Sequence, residues 1–192
     1  MREKQQPYFD QSVSDNYRNL YTRYYTRLYN YGRKFTTDII LIEDSIQDIF
    51  LDYWKRKDTH RQPEAINSYF FSAFRYSLFK KINREKKHVS LSDEKEEPDF
   101  SIHHFASRYE ASPDMEEQIQ AALRQLTGRQ REALFLRFYE GLSYEEIAVI
   151  MDISVKASYK LMARALLQLK NTLPLPVWLL FWSMLNRYPV HF

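Results

Sequence analysis

Apolar residues recur at helical spacing along most of this chain, and no stretch sustains the alternation a strand needs. Tyr17, Leu20 or Tyr21, Tyr24, Leu28, Tyr31 and Phe35 mark one face of a first helix. Ile42, Ile46, Ile49, Phe50, Tyr53 and Trp54 mark a second. Asp38, Glu43 and Asp44 lie near its start, where the helix dipole favours anions. The polar run from Lys55 to Glu64, with Pro63, predicts a loop. A third helix follows from about Ala65 to Lys87, with Ile66, Phe70, Ala73, Phe74, Leu78 and Ile82 on its apolar side. Periodicity is then lost from Ser90 to about Pro113. There Asp93, Glu94, Glu96, Glu97 and Asp99 outnumber Lys95, which predicts a solvated linker. It returns at Met115 and holds to about Thr172, enough for four helices, the first built on Ile119, Leu123 and Leu126. The pattern predicts an all-α chain of two small helical domains: one over 15–88, an acidic flexible linker over 89–114, a second domain over 115–173, and an apolar tail over 174–192.

The second domain carries the clearest local signals. Thr127-x-x-Gln130 and Ser143-x-x-Glu146 are capping boxes, each offering a side-chain oxygen to N–H groups that a helix start leaves unpaired. After Gly141, Ile147, Ala148 and Met151 share a face, the pattern breaks at Asp152-Ile153-Ser154, and a new helix starts at the serine. Val155, Ser158, Met162, Ala165 and Leu169 fall on one side of it; Lys156 and Lys160, flanked by Tyr159 and Arg164, fall on the other. Two helices across a tight turn, the second basic outside and sized for a major groove, form the helix-turn-helix pattern and predict DNA binding.

Composition changes this picture little. With 192 residues the chain has room for one or two modest cores, and 3 Gly against 7 Pro suits long helices. The 15 Tyr and 13 Phe fit core filling, stacking on unpaired bases and partner interfaces alike. The absence of Cys excludes disulfides and thiolate metal sites and fits a reducing, cytoplasmic setting. MREKQQPYFDQ has no apolar segment of the kind a secretory signal needs. A net charge of +3 is too small to argue for nucleic acid from the whole chain. Its placement matters more: Arg75, Lys80, Lys81, Arg84, Lys86 and Lys87 face a single acid, Glu85, at the end of the third helix, which suits phosphate contacts.

The run Leu126-Thr127-x-Arg129-Gln130-Arg131-Glu132-x-Leu134-Phe135, then Phe138-Tyr139-Glu140-Gly141-Leu142-Ser143-Tyr144-Glu145-Glu146-Ile147-Ala148, resembles region 4 of bacterial RNA polymerase sigma factors. It stays in register through Met151, Ile153-Ser154-Val155, Tyr159-Lys160 and Arg164-Ala165-Leu166. Glu43 to Trp54 resembles region 2.2 of the same family, and Ser68-Tyr69-Phe70-Phe71 with Phe74-Arg75-Tyr76 resembles regions 2.3 to 2.4, with Tyr76 where asparagine is more usual. Two regions without a third folded domain between them match the extracytoplasmic-function (ECF) type. The resemblance implies binding to core RNA polymerase, with Asp44, Gln47, Asp48 and Asp52 on the clamp coiled coil and the second domain on the flap. It implies −35 contacts from Lys156, Tyr159, Lys160 and Arg164. For the −10 element and melting it implies Arg61, Gln62, Asn67, Tyr69, Phe70, Arg75, Lys80, Lys81 and Arg84, where aromatic stacking offsets the cost of holding bases out of the duplex. Two departures bear on −35 preference: Asp152 stands where glycine is frequent, and Ala157-Ser158 where Thr-Val is. An anti-sigma partner is compatible with the resemblance.

Catalysis has little support in these residues. With 3 Gly no phosphate-cradling loop is formed, no Ser stands in a recognisable triad motif, and His103-His104 are neighbours in the linker. No cofactor, metal or small-molecule substrate is expected. The alternatives are a stand-alone helix-turn-helix regulator and a polymerase-binding adaptor or anti-sigma protein. The apolar run from Val177 to Leu185 is too short to span a bilayer. It fits a terminal helix folded onto a domain, an exposed docking surface or an interfacial membrane segment, and the residues do not choose.

Overall fold

In the computed structural model, residues 11–55, 66–89, 100–101 and 112–186 are described. The first block has three helices: α1 (Gln11–Gly32), α2 (Ile39–Lys55) and α3 (Ile66–Val89). Their apolar stripes meet in a core of Tyr24, Leu28, Ile42, Ile46, Phe50, Phe70, Phe74 and Leu78. Asp38 starts α2 as a cap: Leu41 N–H donates to its Oδ1 at 3.0 Å and Ile42 N–H to its carbonyl at 3.3 Å. Gly32 closes α1 where α2 and α3 converge, since a Cβ there would stand 2.8 Å from Phe74 Cζ and 3.0 Å from Ile42 Cγ2.

The second block runs α4 (Pro113–Arg124), α5 (Gly128–Leu134), a π-helical turn (Phe135–Tyr139), α6 (Tyr144–Ile150), α7 (Val155–Thr172) and α8 (Leu175–Asn186). Both capping boxes close in both directions: Gln130 N–H donates to Thr127 Oγ1 while Thr127 N–H donates to the Gln130 side chain, and Ser143 and Glu146 repeat the exchange. In the π-turn, Glu140 N–H reaches back to the Phe135 carbonyl at 3.1 Å, and Gly141 takes the left-handed conformation (φ 74°) that ends it. The tail forms a terminal helix: Phe181 of α8 is buried, and α8 packs on α4 and α7.

The two blocks are not separate bodies. One continuous core passes from Tyr31 through Phe100 to Phe135, with ring centroids 6.2 Å and 5.5 Å apart along that path. Phe100 was expected in a solvated linker; it is 1% exposed instead. It sits edge-on to Phe35 at 5.0 Å, while Arg131 Nε donates to its carbonyl at 2.7 Å and Ser101 N–H donates to the Lys34 carbonyl at 2.7 Å. The aromatic ring of Phe100 thus buries itself against both blocks. The acidic run 93–99 itself lies outside the described residues.

Candidate nucleic-acid interface

α6, the turn and α7 form the helix-turn-helix. Met151 ends α6, Asp152 takes a left-handed conformation (φ 52°), and Ser154 caps α7 by accepting from Ala157 N–H at 3.2 Å. This explains the departure at Asp152. The turn requires the backbone region that glycine enters freely, and Asp is among the side chains that tolerate it. Ser158, Met162, Ala165 and Leu169 are buried as their spacing predicts, and the Ser158 hydroxyl donates to the carbonyls of Val155 and Tyr144. Val155, placed on that side by spacing, is instead exposed at the first turn.

Lys156, Tyr159, Lys160 and Arg164 all lie on the exposed side of α7. Tyr159 is held in place. Its ring stacks on Tyr144 at 4.0 Å, and the Arg137 guanidinium lies 5.0 Å from the Tyr144 centroid while donating to the Leu142 carbonyl at 2.8 Å. The chain thus presents one aromatic ring, pre-positioned, among three cations. Sequence reasoning missed Tyr144 and Arg137, whose roles appear only once α6 and α7 cross.

The first-block candidates divide sharply. Lys80 and Arg84 are exposed on the C-terminal half of α3, beside Tyr76. Lys81 pairs with Asp48 of α2 at 2.8 Å, so one expected DNA contact and one expected polymerase contact satisfy each other. Tyr69 is half-buried between Tyr53 and Phe70. Phe70, proposed to stack on bases, is 0% exposed and packs against Tyr24, Phe50 and Tyr53. It is a core residue here, because its position on α3 coincides with the apolar stripe. Arg61 and Gln62 lie outside the described residues.

Asn67, Phe71 and Arg75 form a second stripe on α3, four residues apart, and this stripe meets the second block. Arg75 was expected on phosphate; it is buried, donating from Nε to Glu132 at 2.8 Å and from Nη2 at 3.3 Å. Tyr31 donates its hydroxyl to the same carboxylate. Asn67 accepts from the Tyr24 hydroxyl at 2.6 Å and from Arg27 at 3.3 Å, and donates to Glu146 at 3.0 Å. Arg27 also pairs with Glu140 at 2.7 Å. Burial, with Glu132 next, pushes the Tyr31 phenol well above its ordinary range, and burial pulls the Lys34 ammonium down. Glu132, Glu140 and Arg27 carried no local signal in the sequence: the hydrogen-bond partners named here are between 40 and 113 positions away.

On α2, Asp44, Gln47 and Asp48 are exposed on one face, with Asp52 half-buried at its end. Ile40 and Leu51 flank these residues and are 72% and 54% exposed, an apolar margin that periodicity alone did not assign. This face of α2 thus places exposed carboxylates and exposed apolar side chains side by side.

Residues 116–169 match the family model described as sigma-70, region 4. A relative, the RNA polymerase sigma factor YlaC of Bacillus subtilis (strain 168), is 24% identical over 160 residues, spanning 83% of this chain and 92% of its own. Among solved structures, the sigma factor RpoE of Bartonella quintana, in complex with the anti-sigma factor NepR, superposes with a TM-score of 0.59. It covers 82% of this chain and 96% of its own at 21% identity, which is a likeness of fold.

Proposed function

We infer that the chain is an RNA polymerase sigma factor of the ECF type, with a region 2-like first block and a region 4-like second block. The observation that carries this is that the helix-turn-helix, with its basic outer face on α7, lies within the segment matching sigma-70 region 4. The helical first block precedes it in the order a sigma factor requires. The protein binds core polymerase and promoter DNA, and directs initiation rather than making or breaking a covalent bond.

In this reading α7 enters the major groove of the −35 element. Lys156, Lys160 and Arg164 reach phosphates and base edges, and Tyr159 offers its fixed ring to a base edge such as a thymine methyl. Lys80 and Arg84, with Arg75 and Asn67 once uncovered, serve the −10 strand. The α2 face of Asp44, Gln47, Asp48 and Asp52, edged by Ile40 and Leu51, docks on the polymerase clamp, and the second block on the flap. Among the described residues no helix is long and apolar enough to cross a membrane, and the proposed site of action is the cytoplasm. The Bartonella complex supports an anti-sigma partner for this chain as well.

Transcription in vitro from a promoter library, with core polymerase alone or with this protein, tests the reading. New transcripts that share −10 and −35 sequences only when the protein is added are the expected result. Polymerase binding without any new start site would sink it in favour of an adaptor or anti-sigma protein.

A further inference from the structure

We propose that α7 reads the methyl groups of thymine through an exposed apolar row, headed by Val155 and Tyr159, that runs beside its row of cations. The exposed side chains from Val155 to Arg164 are of two kinds only. Val155, Tyr159 and Ala163 stand four residues apart, and so do Lys156, Lys160 and Arg164. Residues four apart share a helix face, so the two rows lie side by side and a groove entered by one is entered by both. Lysine and arginine serve phosphate oxygens and the O6 and N7 acceptors of guanine. Discrimination at A·T pairs then falls to the apolar row. The feature of such a pair that an apolar side chain distinguishes in the major groove is the C5-methyl group of thymine.

The packing around the row fixes how it meets a base. Val155 and Tyr159 are 40% and 50% exposed, so both present carbon surface to the groove while their backbones are held by the helix. One face of the Tyr159 ring is taken by Tyr144 at 4.0 Å, which leaves the other face and the edge for DNA. Tyr144 is itself fixed: Arg137 lies 5.0 Å from its centroid, and the Ser158 hydroxyl donates to its carbonyl at 3.1 Å. The hydroxyls at the start of α7 are spent on the fold. Ser154 accepts from Ala157 N–H, and the buried Ser158 donates to the Val155 carbonyl at 2.8 Å as well. A ring clamped in this way reads position rather than sliding between bases, and a methyl group is a target of matching size. That the DNA is a −35 element rests on the sigma reading; the apolar row itself does not.

The test uses the full chain assembled with core polymerase and a promoter found by library transcription. Each thymine of its −35 element is replaced in turn by deoxyuridine, which removes the methyl group and leaves every hydrogen-bonding edge intact. At least one replacement should lower the affinity of the wild-type complex by about fourfold, the factor that burying one such carbon gives. Tyr159→Phe keeps the ring and should keep that response. Val155→Ala and Tyr159→Ala, both at exposed positions, should bind the thymine duplex more weakly, and the two combined should no longer tell thymine from deoxyuridine. Lys156→Ala should weaken both duplexes by the same factor, because a cation on phosphate does not sense the methyl group. A −35 element without thymine, deoxyuridine without effect, or a full response surviving in the combined variant would each overturn the proposal. If transcription starts but deoxyuridine is silent, the sigma reading stands and the methyl reading falls. If no promoter is used at all, the sigma reading fails, and the same replacements are made in duplex DNA that the chain alone selects from random sequence, where the same outcomes decide. A chain that selects no duplex overturns both.

Discussion

Two residues carry backbone or ionisation states that their type alone would not give them. Asp152 sits at φ 52° in the turn between α6 and α7, where a Cβ crowds the following carbonyl. Asp152→Gly should raise stability by about 0.5–1 kcal/mol and Asp152→Ala should lower it by a similar amount, measured by urea unfolding. Tyr31 is a different case. Its phenol is buried against Glu132, with Arg75 offsetting part of the effect, so the folded chain holds this proton above the usual 10.0 while the unfolded chain releases it. The stability Tyr31 contributes is therefore fully present below that value and declines as pH rises beyond it. Tyr31→Phe should make the alkaline decline shallower and cost about 1–3 kcal/mol at neutral pH, because Glu132 loses a buried donor. An unchanged alkaline slope would mean that the buried Tyr24, whose phenol is also raised, dominates there.

At the scale of elements, what the sequence made legible was what is local. Capping boxes need residues three apart, amphipathic stripes three or four apart, and both appeared where Thr127, Ser143 and the buried side of α7 stand. The positions whose packing the sequence did not show share a cause. Phe70 lies on the stripe facing its own block, whereas Asn67, Phe71 and Arg75 lie on a second stripe that only a neighbouring domain could define. α3 is packed on two sides, and a single period cannot announce two partners. The same reasoning makes Tyr144 a positioning residue for α7. Tyr144→Ala removes the platform under Tyr159 but leaves Lys156, Lys160 and Arg164 untouched. It should weaken binding to a −35 duplex by about tenfold while leaving the salt dependence unchanged. Lys160→Ala should do the reverse, reducing the slope of log affinity against log salt by about 1. Titrations of the two variants at several salt concentrations separate a ring that reads the groove from a cation that holds the backbone.

For the whole molecule, the apolar tail is the last piece of the packing. Three fates were compatible with Val177 to Leu185, and the structure folds the segment into α8 against α4 and α7. Phe181 is 1% exposed, Val177 and Trp178 are half-buried, and Leu179, Leu180 and Trp182 remain on the outer side. α8 packs on α4 and α7 and covers the base of α7, where Leu169 and Leu173 are buried. Truncating a buried Phe costs about 3–5 kcal/mol, a large share of the margin of a small domain. Removing Pro174 to Phe192 should therefore lower the stability of the second block by at least that order. It should also increase aggregation, while the −10 and −35 sequences selected from a promoter library stay the same. Phe181→Ala should reproduce most of the stability loss. Trp182→Ala removes a more exposed ring that touches Trp178 at 5.6 Å and should cost clearly less than Phe181→Ala. A deletion that left thermal unfolding unchanged yet abolished polymerase recruitment would reverse the assignment: the outer side of α8 would then be a docking surface, with Phe181 merely anchoring it.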